Sequence, residues 1–242
     1  MTNAVLAVIP ARFAATRFPG KPLAALWGKP MLQHVWERAR AARGLDELLI
    51  ATDDERIATA ARGFGAAVEL TSSGCASGTD RVAEVARRRP RAGLVLNLQG
   101  DEPELETEAV SRLVEVMRGD ASLRMGTIAH HEPDAALLAR PEVVKVVVDA
   151  AGFALYFSRA DLAEGSQGGP VLRHAGVYAF RRDLLLEFAS WPPGGLEQAE
   201  RLEQLRALER GVRIKVVLGE HPFAGVDTPG QLQTLERRGP RP

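Results

Sequence analysis

Four apolar runs of strand length, at 4–9, 48–52, 68–70 and 94–98, alternate with helical patterns through the first half of the chain. The helical stretches cover about 30–43, a segment beginning after Asp54, 79–89 and about 107–117. Strands separated by helix-length crossovers pair in parallel, and runs that are apolar throughout are buried on both faces. The expectation is therefore an α/β fold with a mostly parallel sheet covered by helices on both sides. Such sheets bind ligands outside the carboxyl ends of their strands. The loops after these runs are where chemistry is expected.

The alternation stops after Leu123. Strand patterns at 127–131, 143–149, 153–157 and 175–180 follow one another with no long helix before Asp183. Asp149-Ala-Ala-Gly152 has the composition of a hairpin turn. These strands are expected to be antiparallel additions, a β-rich insertion at about 127–180 within one domain spanning 1–242. Open strand edges need cover, so this region is also expected to act as a dimerisation arm. A helix is predicted at 196–210 with its charges on a solvated face, closed by Gly211. A strand at 213–218 precedes a last helix that has Thr228 as N-cap, Pro229 at its first position and Gln231 completing a capping box.

Composition excludes several function classes. The 31 basic and 31 acidic residues cancel, so no global field attracts nucleic acid or an anionic membrane, and an anionic ligand must be held by a local cluster of cations. No apolar run approaches the roughly 20 residues of a membrane helix. A single cysteine, Cys75, and the lack of a cationic-then-apolar leader suit a reducing cytoplasm.

Three constellations carry chemistry. Directly after the first strand run, Pro10-Ala-Arg12 leads through Thr16 and Arg17 to Gly20-Lys21-Pro22. Arginine grips phosphate oxygens bidentately and lysine adds a point charge, which suits a triphosphate. The glycine spacing is not that of a Walker loop. After the fourth run, Gln99-Gly100-Asp101-Glu102-Pro103 places carboxylates at a strand end, where they suit Mg²⁺ or simply form a Gly-Asp turn. Asp227, in Gly225-Val-Asp227-Thr228-Pro229, either joins Asp101 or favours the helix dipole. Weaker signals are Ser77-Gly78-Thr79-Asp80-Arg81, a base-contacting loop or a helix start, and Arg173-His174-Ala-Gly176-Val-Tyr178, which puts His174, Gly176 and Tyr178 on one strand face. Cys75 reads as a bystander.

Taken in order with Ala154-Leu-Tyr-Phe-Ser-Arg159 and Leu202-Glu203-Gln204-Leu-Arg206, these motifs resemble the 3-deoxy-manno-octulosonate (Kdo) cytidylyltransferases, or CMP-Kdo synthetases, over residues 4–236. The first motif alone also fits sugar nucleotidylyltransferases at large, including CMP-sialic acid synthetases, and the His174/Tyr178 and Glu203/Gln204 motifs narrow it. The resemblance implies a three-layer α/β/α, Rossmann-like nucleotidyltransferase fold, a β-rich dimerisation region, Mg²⁺ dependence and a place in lipopolysaccharide synthesis. It implies that Arg12 and Lys21 hold the phosphates of CTP and that Ser77 and Thr79 lie near the cytosine. It implies that Asp101 and Asp227 bind Mg²⁺, and that Gln99, His174, Tyr178, Glu203 and Gln204 line the sugar-acid pocket. The chain departs from the family pattern at Cys75, where a histidine is usual, and at 161–170, which is shorter and lacks an arginine. Two other readings stay open: the same transfer to 8-amino-Kdo or a sialic acid, and a nucleotide-binding regulatory module without catalysis.

Overall fold

The first apolar run forms β1 (Ala4–Ala11), whose residues 5–9 are buried. Such a strand needs a hydrogen-bonded neighbour on each side and a packed layer on each face. The structure, a computed structural model, describes residues 4–14, 18–162, 171–221 and 225–240. Thr16 and Arg17 of the first loop, and residues 163–170 of the stretch after Arg159, lie outside these. Two compact units are formed, Met1–Thr107 with Phe223–Pro242, and Glu108–Pro222.

In the first unit β1 is followed by a small hairpin, β2 (Ala25–Leu26) with β3 (Lys29–Pro30). Then come α1 (Met31–Ala41), β4 (Glu47–Thr52), α2 (Glu55–Gly63), β5 (Ala67–Leu70), α3 (Gly78–Arg87) and β6 (Ala92–Asn97). The strands lie in the order β6-β1-β4-β5, all parallel, as the alternating pattern predicts. Val8 stands beside Asn97 and Ile9 beside Ile50, so the loops after β1, β4 and β6 leave the sheet together. Local chemistry starts the helices where the sequence places them. The Asp54 carboxylate accepts from the Arg56 N–H at 2.9 Å, and Ser77 and Asp80 form a capping box.

The last helix, Pro229–Arg238, has the expected Thr228/Gln231 capping box. Its Leu235 shares a buried cluster with Leu26, Met31 and Val226, flanked by Phe18, Trp27 and Leu232. Trp27 and Gly28 at the hairpin tip both have positive φ, 48° and 78°, as a type I′ turn requires. A non-glycine residue there costs about 1–2 kcal/mol. Two anchors oppose that cost: the Trp27 N–H donates to Glu236 Oε2 at 2.7 Å, and its indole N–H donates to the Leu235 carbonyl at 3.3 Å.

The second unit contains α4 (Thr107–Gly119), β7 (Met125–His130), the single turn α5 (Ala135–Leu138), β8 (Lys145–Val148), β9 (Ala154–Ser158), β10 (Val171–Arg181), α6 (Arg182–Phe188), α7 (Gly195–Glu200), α8 (Leu205–Glu209) and β11 (Ile214–Gly219). β10 runs antiparallel to β7 and β8, and β8 antiparallel to β9, while β11 lies parallel to β7. The antiparallel additions are thus as expected. The turn at Asp149 closes through the Asp149 N–H to Phe153 O at 2.8 Å and the Gly152 N–H to Asp149 O at 2.9 Å.

The predicted helix at 196–210 is not one helix, and its charges are not all solvated. α7 stops at Glu200, Arg201 turns left-handed at φ 56°, and α8 starts at Leu205. The cause is a largely covered ion pair. Arg206 donates to both carboxylate oxygens of Glu197, from Nε at 2.7 Å and Nη2 at 2.6 Å, and its guanidinium lies 4.6 Å from the Phe188 ring centroid. In one continuous helix these residues stand two and a half turns apart, on opposite faces and separated by about 13 Å along the axis. Breaking the helix brings them together. Arg206→Met leaves the largely covered Glu197 carboxylate without its cation, so the unfolding free energy is expected to fall by about 3 kcal/mol in urea titration. Replacing both residues by apolar ones should lose much less, and an equal loss would reject the account.

Candidate active site

A cleft of about 300 Å³ opens at the carboxyl ends of β1 and β6. Arg12, Lys21, Ser77, Gln99, Asp101 and Asp227, all singled out in the sequence, line it. Close backbone approach makes this convergence possible. A Cβ on Gly100 would lie 3.1 Å from the Pro10 carbonyl oxygen, so glycine lets the loop after β6 lie against the end of β1. The Val226 N–H donates to the Asp101 carbonyl at 2.8 Å, which draws Asp227 in from the far end of the chain.

At the centre, Lys21 Nζ donates to Asp101 Oδ2 at 2.6 Å and to Asp227 Oδ1 at 3.4 Å. Lys21 is mostly covered, whereas the carboxylates are 28% and 40% exposed. Carboxylates 80 and 206 positions beyond Lys21 in sequence therefore share its one cation. The same two oxygens suit a hard divalent cation. Among the described residues no group of three or more His, Cys, Asp or Glu is placed to hold a metal. Two carboxylates match Mg²⁺, which keeps waters and takes its remaining oxygens from substrate phosphates.

Thr79 is set back from the cleft: it is buried and its hydroxyl accepts from Asn97 Nδ2 at 3.2 Å. Ser77 stands at the wall, its side chain engaged in capping α3. Arg81 also lines the cleft, with Nη2 3.1 Å from Asp53 Oδ1 and Nη1 bonded to the Thr71 hydroxyl. In the sequence Arg81 stands only as the last residue of the Ser77-Gly78-Thr79-Asp80-Arg81 motif, with no role of its own. Its only signal was a cation one turn into a helix, with Asp53 following β4. Cys75 donates from Sγ to Glu84 Oε2 at 3.2 Å. Burial, and next that carboxylate, push its thiol up to about 11, so it remains protonated and is no nucleophile.

The other predicted site residues lie in the second unit. His174 and Tyr178 share a face of β10, with ring centroids 5.5 Å apart. Four residues of regular strand span about 13 Å. The register breaks between Ala175 and Tyr178, and this bulge gathers the two rings. The His174 ring also meets Phe157 edge-on at 4.9 Å. Loss of water around it, and next the His130 imidazole, push its pKa down to about 3, so it is neutral at physiological pH. Glu203 and Gln204 lie in the bend between α7 and α8. Gln204 is buried, and its Nε2 has no hydrogen-bond partner among the described residues. A buried donor of this kind suits a polar ligand.

A family model described as cytidylyltransferase matches residues 6–214. The chain is 51% identical to the 3-deoxy-manno-octulosonate cytidylyltransferase of Anaeromyxobacter sp. (strain Fw109-5), covering 98% of both chains. It is 49% identical to the protein of that name from Geobacter sulfurreducens, covering 96% of this chain and 97% of the relative. The chain belongs to the 3-deoxy-manno-octulosonate cytidylyltransferase family. A CMP:2-keto-3-deoxy-manno-octonic acid synthetase solved in complex with CTP superposes with a TM-score of 0.91, at 41% identity and 98% coverage of each chain. The α/β nucleotidyltransferase fold expected from the sequence is thus the fold of this cytidylyltransferase family.

Proposed function

We propose that this cytidylyltransferase transfers CMP from CTP to Kdo, giving CMP-Kdo and pyrophosphate, and so activates Kdo for lipopolysaccharide synthesis in the cytoplasm. One observation carries the mechanism: the Lys21 ammonium held between Asp101 and Asp227 at the carboxyl end of the sheet. The anomeric 2-hydroxyl of the sugar acid attacks the α-phosphorus of CTP, and the bond from that phosphorus to the bridging oxygen of pyrophosphate breaks. Such a transfer rests on alignment and charge neutralisation more than on a covalent intermediate. Arg12 and Lys21 hold the β- and γ-phosphates and stabilise the departing pyrophosphate. Ser77, with Thr79 behind it, stands at the nucleoside end. Asp101 and Asp227 are the residues that would hold Mg²⁺, which when bound would supply charge neutralisation for the transferred phosphate. Gln99, His174, Tyr178, Glu203 and Gln204 orient the sugar acid. The proton of the attacking hydroxyl passes to solvent water rather than to a protein base.

A pyrophosphate-release assay that crosses the four nucleoside triphosphates with Kdo, 8-amino-Kdo and N-acetylneuraminate tests this reading. The expected result is turnover with CTP and Kdo, and a large drop with N-acetylneuraminate, whose acylamino group and longer tail meet the polar groups of the pocket differently. Preference for either other acid would overturn the assigned acceptor. Absence of turnover with every pair would overturn catalysis.

We also propose a homodimer. Leu155 on β9, a strand that pairs with β8, is 62% exposed, and Leu218 on β11 is 40% exposed. Apolar side chains on edge strands favour pairing with another chain. Light scattering at micromolar concentration should give twice the chain mass; a monomer mass would reject the dimer.

A further inference from the structure

The bulge in β10 is closed by one hydroxyl. Thr127 on β7 is fully buried, and its Oγ1 lies 2.7 Å from the Val177 carbonyl oxygen and 3.0 Å from His174 Nε2. A third oxygen, the Ala175 carbonyl, lies at 3.4 Å. A hydroxyl has one proton to donate and lone pairs with which to accept. A carbonyl oxygen can only accept, and two oxygens do not approach to 2.7 Å without a proton between them. The Thr127 proton therefore belongs to the Val177 carbonyl. The contact with His174 must then run the other way, from a ring N–H to the Thr127 oxygen. The His174 backbone N–H is separately fixed, donating to the Val144 carbonyl at 2.8 Å.

We infer that Thr127 is a positioning residue that holds His174 in the Nε2–H tautomer and so turns Nδ1 into the hydrogen-bond acceptor offered to a hydroxyl of the sugar acid. The inference rests on the reading above that His174 faces that substrate. The imidazole is neutral, so it carries a single ring N–H and the choice of tautomer decides which nitrogen can accept. A histidine's second nitrogen is commonly set by such a partner. Here the partner is itself set, because Thr127 is committed to a backbone carbonyl of the bulge. One buried hydroxyl thereby fixes two things about the site, the kink that brings Tyr178 beside His174 and the polarity of the imidazole.

Nitrogen-15 spectroscopy of histidine-labelled protein reads the tautomer directly, with the His174 signals assigned by their loss in His174→Gln. The parent is expected to show the Nε2–H pattern at His174. Thr127→Val, which keeps the shape and removes the hydroxyl, should change that pattern. It should also raise the apparent constant for Kdo by about tenfold, with CTP binding unchanged by calorimetry. Thr127→Ser, which restores a hydroxyl, should recover both. An Nδ1–H pattern in the parent overturns the inference without any variant. So does a Thr127→Val protein in which neither the spectrum nor the constant moves. If the spectrum changes and the Kdo constant does not, the tautomer assignment stands, while the placing of His174 on the sugar acid falls. A variant that fails to fold leaves the parent spectrum and the serine variant to decide.

Discussion

Asp101→Asn and Asp227→Asn are each expected to lower turnover by about a thousandfold, the loss of several kcal/mol of charge stabilisation at the reacting phosphate. The side chains are nearly isosteric, so what changes is the charge. Both carboxylates are partly exposed, and each shares Lys21 with the other. Exposed ion pairs contribute little to stability, so the unfolding midpoint should hardly move. Initial rates at saturating Mg²⁺, taken beside a thermal melt, make the comparison. Activity within about tenfold of the parent, or about 1.4 kcal/mol, would remove the metal role from that residue. A collapse of the melt with the rate would make the role structural instead.

The second large effect is expected at Lys21, where Lys21→Ala should cut turnover by about a hundredfold or more and weaken CTP binding as well. The ammonium gains importance as the pyrophosphate separates and its charge grows, so turnover should suffer more than affinity. Lys21 also neutralises two converging carboxylates, and its loss leaves them facing each other without a cation between them. CTP titration calorimetry with Mg²⁺ present, run beside steady-state kinetics, separates the two effects. Unchanged values in both would return the 10–22 loop to an ordinary basic surface segment.

How much could be read in advance divides along a physical line. Features set by neighbours in sequence were legible. The Thr228/Gln231 box before the last helix caps as its spacing predicts, and α2 and α3 begin close to where the sequence places them, behind the side-chain caps Asp54 and Ser77. The buried parallel strands were legible too, since continuous apolar runs leave little alternative. Cleft residues were found because chemistry-bearing types sat at strand ends. What escaped was set by partners far away in sequence. The 196–210 segment has sound helical periodicity, yet Glu197 and Arg206 prefer each other to solvent and break it at Arg201. Thr127 looked like any β-branched strand residue, because a bulge in β10 is a property of two strands paired. Arg81 was visible as a charge, but nothing local showed that Asp53 and Thr71 would hold it at the cleft wall.

The first compact unit joins two stretches separated in sequence, Met1–Thr107 and Phe223–Pro242, which the ribosome makes at different times. When the ribosome has delivered the first 107 residues, the four parallel strands, Arg12, Lys21 and Asp101 are all present. Leu26 and Met31 then still lack Val226 and Leu235, the partners that complete their buried cluster. Lys21 still lacks the second of its two carboxylates. All of 108–222 must emerge before those partners arrive. A nascent chain, or one ended early by a stop codon anywhere in that span, therefore carries Lys21 and Asp101 without Asp227. Asp227, which completes the pair around Lys21, is made only after the whole of the second unit.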